Sequence, residues 1–366
     1  MTTAELPRAR VRVRQLPREL HPGAWWIWAL GLAAAASATT NPLLLLLVVA
    51  EAGVVVALRR SDHPWSRAFR LYLWLGLVVV VLRVLFRVVL GGATGTGTVL
   101  LDLPEIPLPH WVLGIRLLGP VTADTVLAGL YDGMRLAAIL ICVGAANALA
   151  NPKRLLKSLP PALYEVGTTV VVAVAILPQL ADSVRRVRQA QRLRGSGHGR
   201  RSLRRLLVPV LEDALERSLA LAAGMDARGY GRAGDLTPRQ RRVTGTLLIA
   251  GLVGISVGVY AVLDQSAPRV LAVPMLVLGA LAAAAGFVSA GRRVQRTRYR
   301  PDPWRVPELL VAGSGVLVAA AAFVLLPHQP AVQDPALTAA PTLTLAALLL
   351  VLLGLVPALV APRTSS

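Results

Sequence analysis

Two arginine–glycine steps stand in the most basic stretch of the chain, Gln191-Arg192-Leu193-Arg194-Gly195 and Met225-Asp226-Ala227-Arg228-Gly229-Tyr230. A guanidinium at a helix tip presents a planar fork that pairs bidentately with a carboxylate, which is docking chemistry rather than bond-making chemistry. Small neighbours such as Ala227 and Gly229 let such a tip enter a groove. A second group of ionisable residues, Glu51, Arg83, Arg87, Asp132 and Arg135, falls inside long apolar runs. Charged side chains there cost roughly 2.5–3.5 kcal/mol each on insertion scales, so they find partners. Two accounts of them stay open: a polar surface facing another membrane protein, or internal pairing, for example Glu51 with Arg83, while Arg87 snorkels to an interface. Internal pairing is the favoured expectation.

Other chemistries lack their residues. Gly91-Gly92-Ala93-Thr94-Gly95-Thr96-Gly97 is glycine-rich, but no Gly-Lys-Ser/Thr follows, and the only lysines are Lys153 and Lys157. A Walker loop needs that lysine on the phosphates. The five histidines, His21, His63, His110, His198 and His328, never recur at metal-ligand spacing. No Gly-x-Ser-x-Gly elbow occurs. The single cysteine, Cys142, excludes an internal disulfide or a cysteine metal cluster. A net charge of +20 could suggest nucleic acid, but the basic loops lack the interleaved aromatics of a stacking platform. No catalytic residue, metal site or nucleic-acid partner is expected.

The elements that carry these residues are membrane spans. Of 366 residues, 55% are hydrophobic and only 16% charged, and the apolar ones gather in runs of span length. The chain therefore reads as an all-α polytopic membrane protein of about eight transmembrane helices, in which basic clusters mark cytoplasmic loops. Residues 1–22 form a basic cytoplasmic tail without a cleavable leader, and residues 23–150 carry spans one to four. Trp25, Trp26 and Trp28 are expected at the interfacial depth where aromatic rings anchor a span. Residues 151–243 form a cytoplasmic pair of long helices, residues 244–290 carry spans five and six, and 291–306 form a basic loop. Residues 307–366 add spans seven and eight and a short tail, which leaves both termini in the cytoplasm.

Val166 to Leu180 is apolar enough to suggest a further span, but crossing there would carry the next 15 arginines outside. Residues 161–194 are therefore expected as one helix lying against or dipping into the inner face. In the following helix Leu207, Leu211, Ala214, Ser218, Leu221 and Met225 recur at spacings of three and four and define one apolar face. Glu212, Asp213, Glu216 and Arg217 fall largely opposite, with Asp213 one turn from Arg217. Pro209 is expected near the helix start and Gly229 at its left-handed stop.

The runs Ala190-Gln191-Arg192-Leu193-Arg194-Gly195 and Leu211-Glu212-Asp213-Ala214-Leu215-Glu216-Arg217, continuing through Ala227-Arg228-Gly229-Tyr230, resemble the transmembrane T component of energy-coupling factor transporters, the EcfT/CbiQ family. The resemblance covers roughly residues 25–260, and Leu177-Pro178 also sits where the family has similar residues. The second motif matches the family's Ala-Arg-Gly pattern fully, whereas the first has Leu193 in place of the small residue. The resemblance implies a non-catalytic scaffold in the plasma membrane of a prokaryote. Its coupling residues would be Leu193, Arg194 and Gly195 with Ala227, Arg228 and Gly229. It further implies two ABC ATPase subunits as partners, which bind the ATP and Mg that this chain does not. A membrane-embedded S component would bind the vitamin or transition metal. The family core usually ends one span after the coupling helices, so residues from about 265 onward depart from it. The competing reading is a stand-alone secondary transporter that works through the intramembrane charges.

Overall fold

The computed structural model describes residues 19–60, 69–90, 97–104, 118–158, 163–193, 200–229, 237–264, 269–291, 302–337 and 339–362. In chain order these form α1 (Pro22–Ser37), α2 (Pro42–Arg59), α3 (Phe69–Leu90), β1 (Val99–Asp102), β2 (Pro120–Thr122), α4 (Ala123–Leu149) and α5 (Pro152–Lys157). There follow α6 (Tyr164–Leu193), α7 (Arg200–Ala227), α8 (Pro238–Leu263), α9 (Arg269–Gly291), α10 (Val306–Leu325), α11 (Pro330–Gln333), α12 (Leu345–Leu352) and α13 (Val356–Val360). Contacts divide the chain into one unit of Met1–Leu155 with Asp302–Ser366 and a second of Leu156–Pro301.

In the first unit, helix starts are set by side chains placed before a proline or a free amide. Asn41 Oδ1 accepts from the Leu43 amide at 3.0 Å with Pro42 next to it, and Thr122 Oγ1 accepts from the Thr125 amide at 3.3 Å. Asn41 also donates to the carbonyls of Val332 and Thr342 at 3.0 and 2.9 Å, so one buried amide ties the α1–α2 turn to the C-terminal segment. α1 packs on α2, α4 and α10, and the core is filled by Trp28, Leu32, Leu45, Val48, Val55, Val311 and Val318. At Gly31 and Gly315 the backbones of α1 and α10 meet so closely that a methyl group on either would collide with the other helix. Trp28 Nε1 donates to the Gly354 carbonyl at 2.9 Å, where a 3₁₀ turn separates α12 from α13. The segments beyond residue 302 are thus built into the same core as the first two helices.

α3 packs along α4 and on no other helix to comparable extent. Gly129, Gly133 and Gly144 of α4 lie against Arg87, Arg83 and Tyr72 of α3, and Asn147 donates to the Tyr72 hydroxyl at 2.9 Å. The β1–β2 antiparallel ladder pairs Val99 with Thr122 and joins the segment after α3 to the start of α4.

In the second unit α8 and α9 form a close hairpin in which Gly251 faces Ala283, Gly254 faces Gly279, and Gly286 faces Leu248. Small residues at spacings of three and four let the two backbones approach. Thr244 and Ser289 share a hydrogen bond of 3.1 Å across it. α6 packs on α7.

The helical membrane architecture is as expected, with differences in detail. Among the described residues seven helical segments are long and apolar enough to span: 42–59, 69–90, 123–149, 166–193, 238–263, 272–291 and 306–328. α1, with 16 residues, rises only about 24 Å. The 345–360 segment is equally short and is interrupted by its 3₁₀ turn. α6 is the single long helix expected here, 30 residues unbroken, and its 166–193 stretch is also long and apolar enough to span. Trp25 and Trp28, expected at an interface, are buried, with the Trp28 indole held by the Gly354 carbonyl and the Trp25 ring edge to face with it. Pro209 lies inside α7, which begins at Arg200.

Candidate functional site

The α6–α7 pair is held by one carboxylate. Asp213 Oδ2 accepts from the Ser183 hydroxyl at 2.6 Å and from Arg186 at 3.4 Å, while Oδ1 accepts from Arg217 at 3.0 Å. The Arg217 contact is the one-turn pairing anticipated in the sequence; the Ser183 contact turns Asp213 toward α6 rather than away from it. Hydrogen bonding from Ser183, with the charges of Arg217 and Arg186, outweighs desolvation and holds this carboxyl below the usual carboxylate range. The face of α7 that meets α6 therefore includes half-buried Leu206, Asp213 and Ala214 and buried Val210. The expected apolar stripe is a neighbouring one: its Leu207, Leu211 and Leu221 are exposed together with Leu215 and Leu219. Helical spacing alone could not separate two adjacent stripes.

Each end of this pair carries an arginine motif. α6 ends at Leu193, which is 89% exposed, whereas Arg194 and Gly195 lie outside the described residues. α7 ends at Ala227, exposed Arg228 follows, and Gly229 takes φ 74°, the left-handed stop that glycine adopts without strain. The Gly229 amide closes on the Asp226 carbonyl at 2.9 Å. Arg228 thus stands exposed at a hydrogen-bonded helix end.

The intramembrane charges pair differently from expectation. Asp132 lies 3.6 Å from Arg83 and 3.7 Å from Arg135, joining α3 to α4. Glu51 does not meet Arg83; it is buried in α2 against Gly354, and neither carboxylate oxygen has a hydrogen-bond partner among the described residues. The Glu51–Arg83 pairing fails because α2 and α3 are not packed together, whereas α4 lies beside both.

Arg154, in the basic stretch after α4, does more than add charge. In the structure it donates to Glu19 Oε2 at 3.0 Å and to the Glu19 carbonyl, and it also pairs with Asp302. Burial alone would lower its pKa; Asp302 and Glu19 together outweigh that and raise it above its ordinary value. Beside it the rings of His21 and Trp304 lie 5.1 Å apart. Three segments remote in sequence are joined here, and no local pattern signals that. Among the described residues no cluster of three or more His, Cys, Asp or Glu could hold a metal ion.

Comparison with known proteins matches residues 14–238 to a family described as cobalt transport protein, CbiQ. The chain belongs to the CbiQ family. Two curated relatives, both called energy-coupling factor transporter transmembrane protein EcfT, come from Leuconostoc gelidum subsp. gasicomitatum and Streptococcus equi subsp. equi. The first is 28% identical over 198 residues, 49% of this chain and 67% of that relative. The second is 28% identical over 134 residues, 34% of this chain and 48% of that relative. This CbiQ-family chain is a multi-pass membrane component of a transport system, and the match spans α1 to α7 with both arginine motifs, reaches only the first residue of α8 and leaves α9 to α13 outside.

Proposed function

We propose that this protein is the coupling subunit of an energy-coupling factor importer, with Arg194 and Arg228 each seated in a groove of an ABC ATPase subunit. The ATPases bind ATP and Mg and hydrolyse the nucleotide. A separate membrane-embedded S component binds the vitamin or transition metal, and this chain converts ATPase closure into its release inside. The orientation that goes with this reading is the one favoured by the arginine distribution, both termini in the cytoplasm of a prokaryotic cell.

The observation that carries the reading is the exposed arginine at the end of a long, braced helix. α7 has 28 residues, about 42 Å, and the two motifs lie beyond its opposite ends in sequence. Two tips so spaced suit two separate ATPase grips, and the Asp213 tie makes the helices move as a pair. Loss of a desolvated arginine from such a groove costs about 2–5 kcal/mol, part of it from the carboxylate left unpaired.

The test is affinity purification of the detergent-solubilised wild type beside the Arg194→Glu, Arg228→Glu double variant. ABC ATPase subunits accompany the wild type and are lost from the variant, while the spans stay inserted. Normal uptake by the double variant, or a wild type that brings down no ATPase, refutes the reading; in the latter case solute flux by the purified chain alone supports the stand-alone transporter.

A further inference from the structure

Among the described residues, the seam between α3 and α4 carries more arginines than carboxylates. Arg83 and Arg87 stand one turn apart on α3, and their stems lie over Gly133 and Gly129, also one turn apart on α4. The glycines make room for these two stems, so the guanidinium groups emerge along the seam rather than swinging free. Among the described residues Asp132 is the one carboxylate found within ion-pair distance of Arg83 and of Arg135, and the two share it. Arg83 and Arg135 keep 47% and 36% of their side-chain surface exposed.

Depth makes this excess consequential. Arg83 lies seven residues from the end of α3, about 10 Å in, and Arg135 lies twelve residues into α4, about 18 Å in. Arg87, close to the helix end, can reach the headgroups by snorkelling. Arg135 stands near the middle of a span, and phosphates begin about 15 Å from the bilayer centre, beyond the reach of a guanidinium on its stem. A lipid headgroup is therefore a poor partner for it. A second copy of this chain would bring more arginines to the same depth. The outer side of α3 is otherwise apolar and uncovered, with Trp74, Leu82, Leu85 and Phe86 exposed.

We propose that the α3–α4 seam is the docking face for a different membrane-embedded chain, whose spanning helix presents an Asp or Glu to Arg83 and Arg135. Buried there, the incoming carboxylate completes a two-arginine, two-carboxylate cluster with no net charge, and the apolar side of α3 packs on the incoming helix. The inference stands without the ATPase-coupling reading.

The experiment places a photo-crosslinking residue at Phe86 of the full-length tagged chain in native membranes and identifies the adduct by mass spectrometry. The expected adduct is a membrane protein with an Asp or Glu inside a predicted span. Its yield falls roughly tenfold or more in Arg83→Gln, Arg135→Gln, in keeping with loss of a buried charge pair. The Arg83→Lys, Arg135→Lys variant keeps most of the yield, which separates charge recognition from misfolding. Arg135→Glu abolishes the adduct, and changing the partner's carboxylate to Arg restores it. Undiminished yield in the glutamine variant, failure of the charge exchange, or tight phosphatidylglycerol that the glutamine variant alone loses in native mass spectrometry would each overturn the proposal. Arg228→Glu leaves the adduct intact, so this outcome reads independently of whether ATPases bind.

Discussion

The closest backbone approach between α1 and α10 makes a quantitative prediction about the part of the chain beyond the family match. A Cβ added at Gly315 would lie 2.7 Å from the Trp28 carbonyl oxygen and 3.0 Å from that of Ile27, with the Trp28 backbone nearer still. Relief needs a shift of roughly 0.5–1 Å, yet Trp28 is wholly buried and its indole is held by the Gly354 carbonyl. Overpacking of this kind costs about 1–3 kcal/mol, from which a gain of about 0.5–1 kcal/mol in helix propensity must be subtracted. Gly315→Ala should therefore destabilise the first unit by roughly 0.5–2 kcal/mol. Gly313 supplies the control: it is on the same helix, and a Cβ there meets nothing within 4 Å. Gly313→Ala should be neutral or slightly stabilising. The assay is thermal unfolding of detergent-purified protein followed by loss of the monodisperse chromatographic peak. Equal midpoints for wild type and Gly315→Ala, or an equal fall in the Gly313 variant, would refute the claim that α10 is locked into the α1 core.

Two further outcomes follow from the polar ties. Because the folded Asp213 carboxyl is held below its ordinary range, the α6–α7 tie is complete above the unfolded carboxylate value of about 4 and is lost as pH falls through the lower folded value. Protection of α6 and α7 amides, measured relative to the intrinsic exchange rate at each pH, should fall below about pH 4 in wild type, and Asp213→Asn should be less protected at pH 7 with no acid step; an unchanged acid step in that variant would assign it to another group. Arg154→Ala removes the shared partner of Glu19 and Asp302, each about a third exposed, and should loosen that junction by about 1–3 kcal/mol, read as faster exchange around both residues with the α8–α9 amides of the second unit unchanged.

What the sequence determined by itself was whatever is written locally or by composition. Apolar runs of span length require membrane helices because unpaired backbone is intolerable in lipid. Asn41-Pro42 marks a helix start, Gly229 marks a stop, and Asp213 reaches Arg217 because four residues make one turn. The two arginine motifs were legible for the same reason. Tertiary structure decided everything that depends on which helix lies beside which. Hydrophobicity is non-directional, so no pattern indicated that α10 and the α12–α13 break would bury Trp28 and Glu51. The arginine of α3 was free, on sequence grounds, to choose between Glu51 and Asp132, and only the packing of α3 on α4 chose Asp132. Arg154 gathers Glu19 from 135 residues away and Asp302 from 148, and a contact over such separations exists only once the chain has folded.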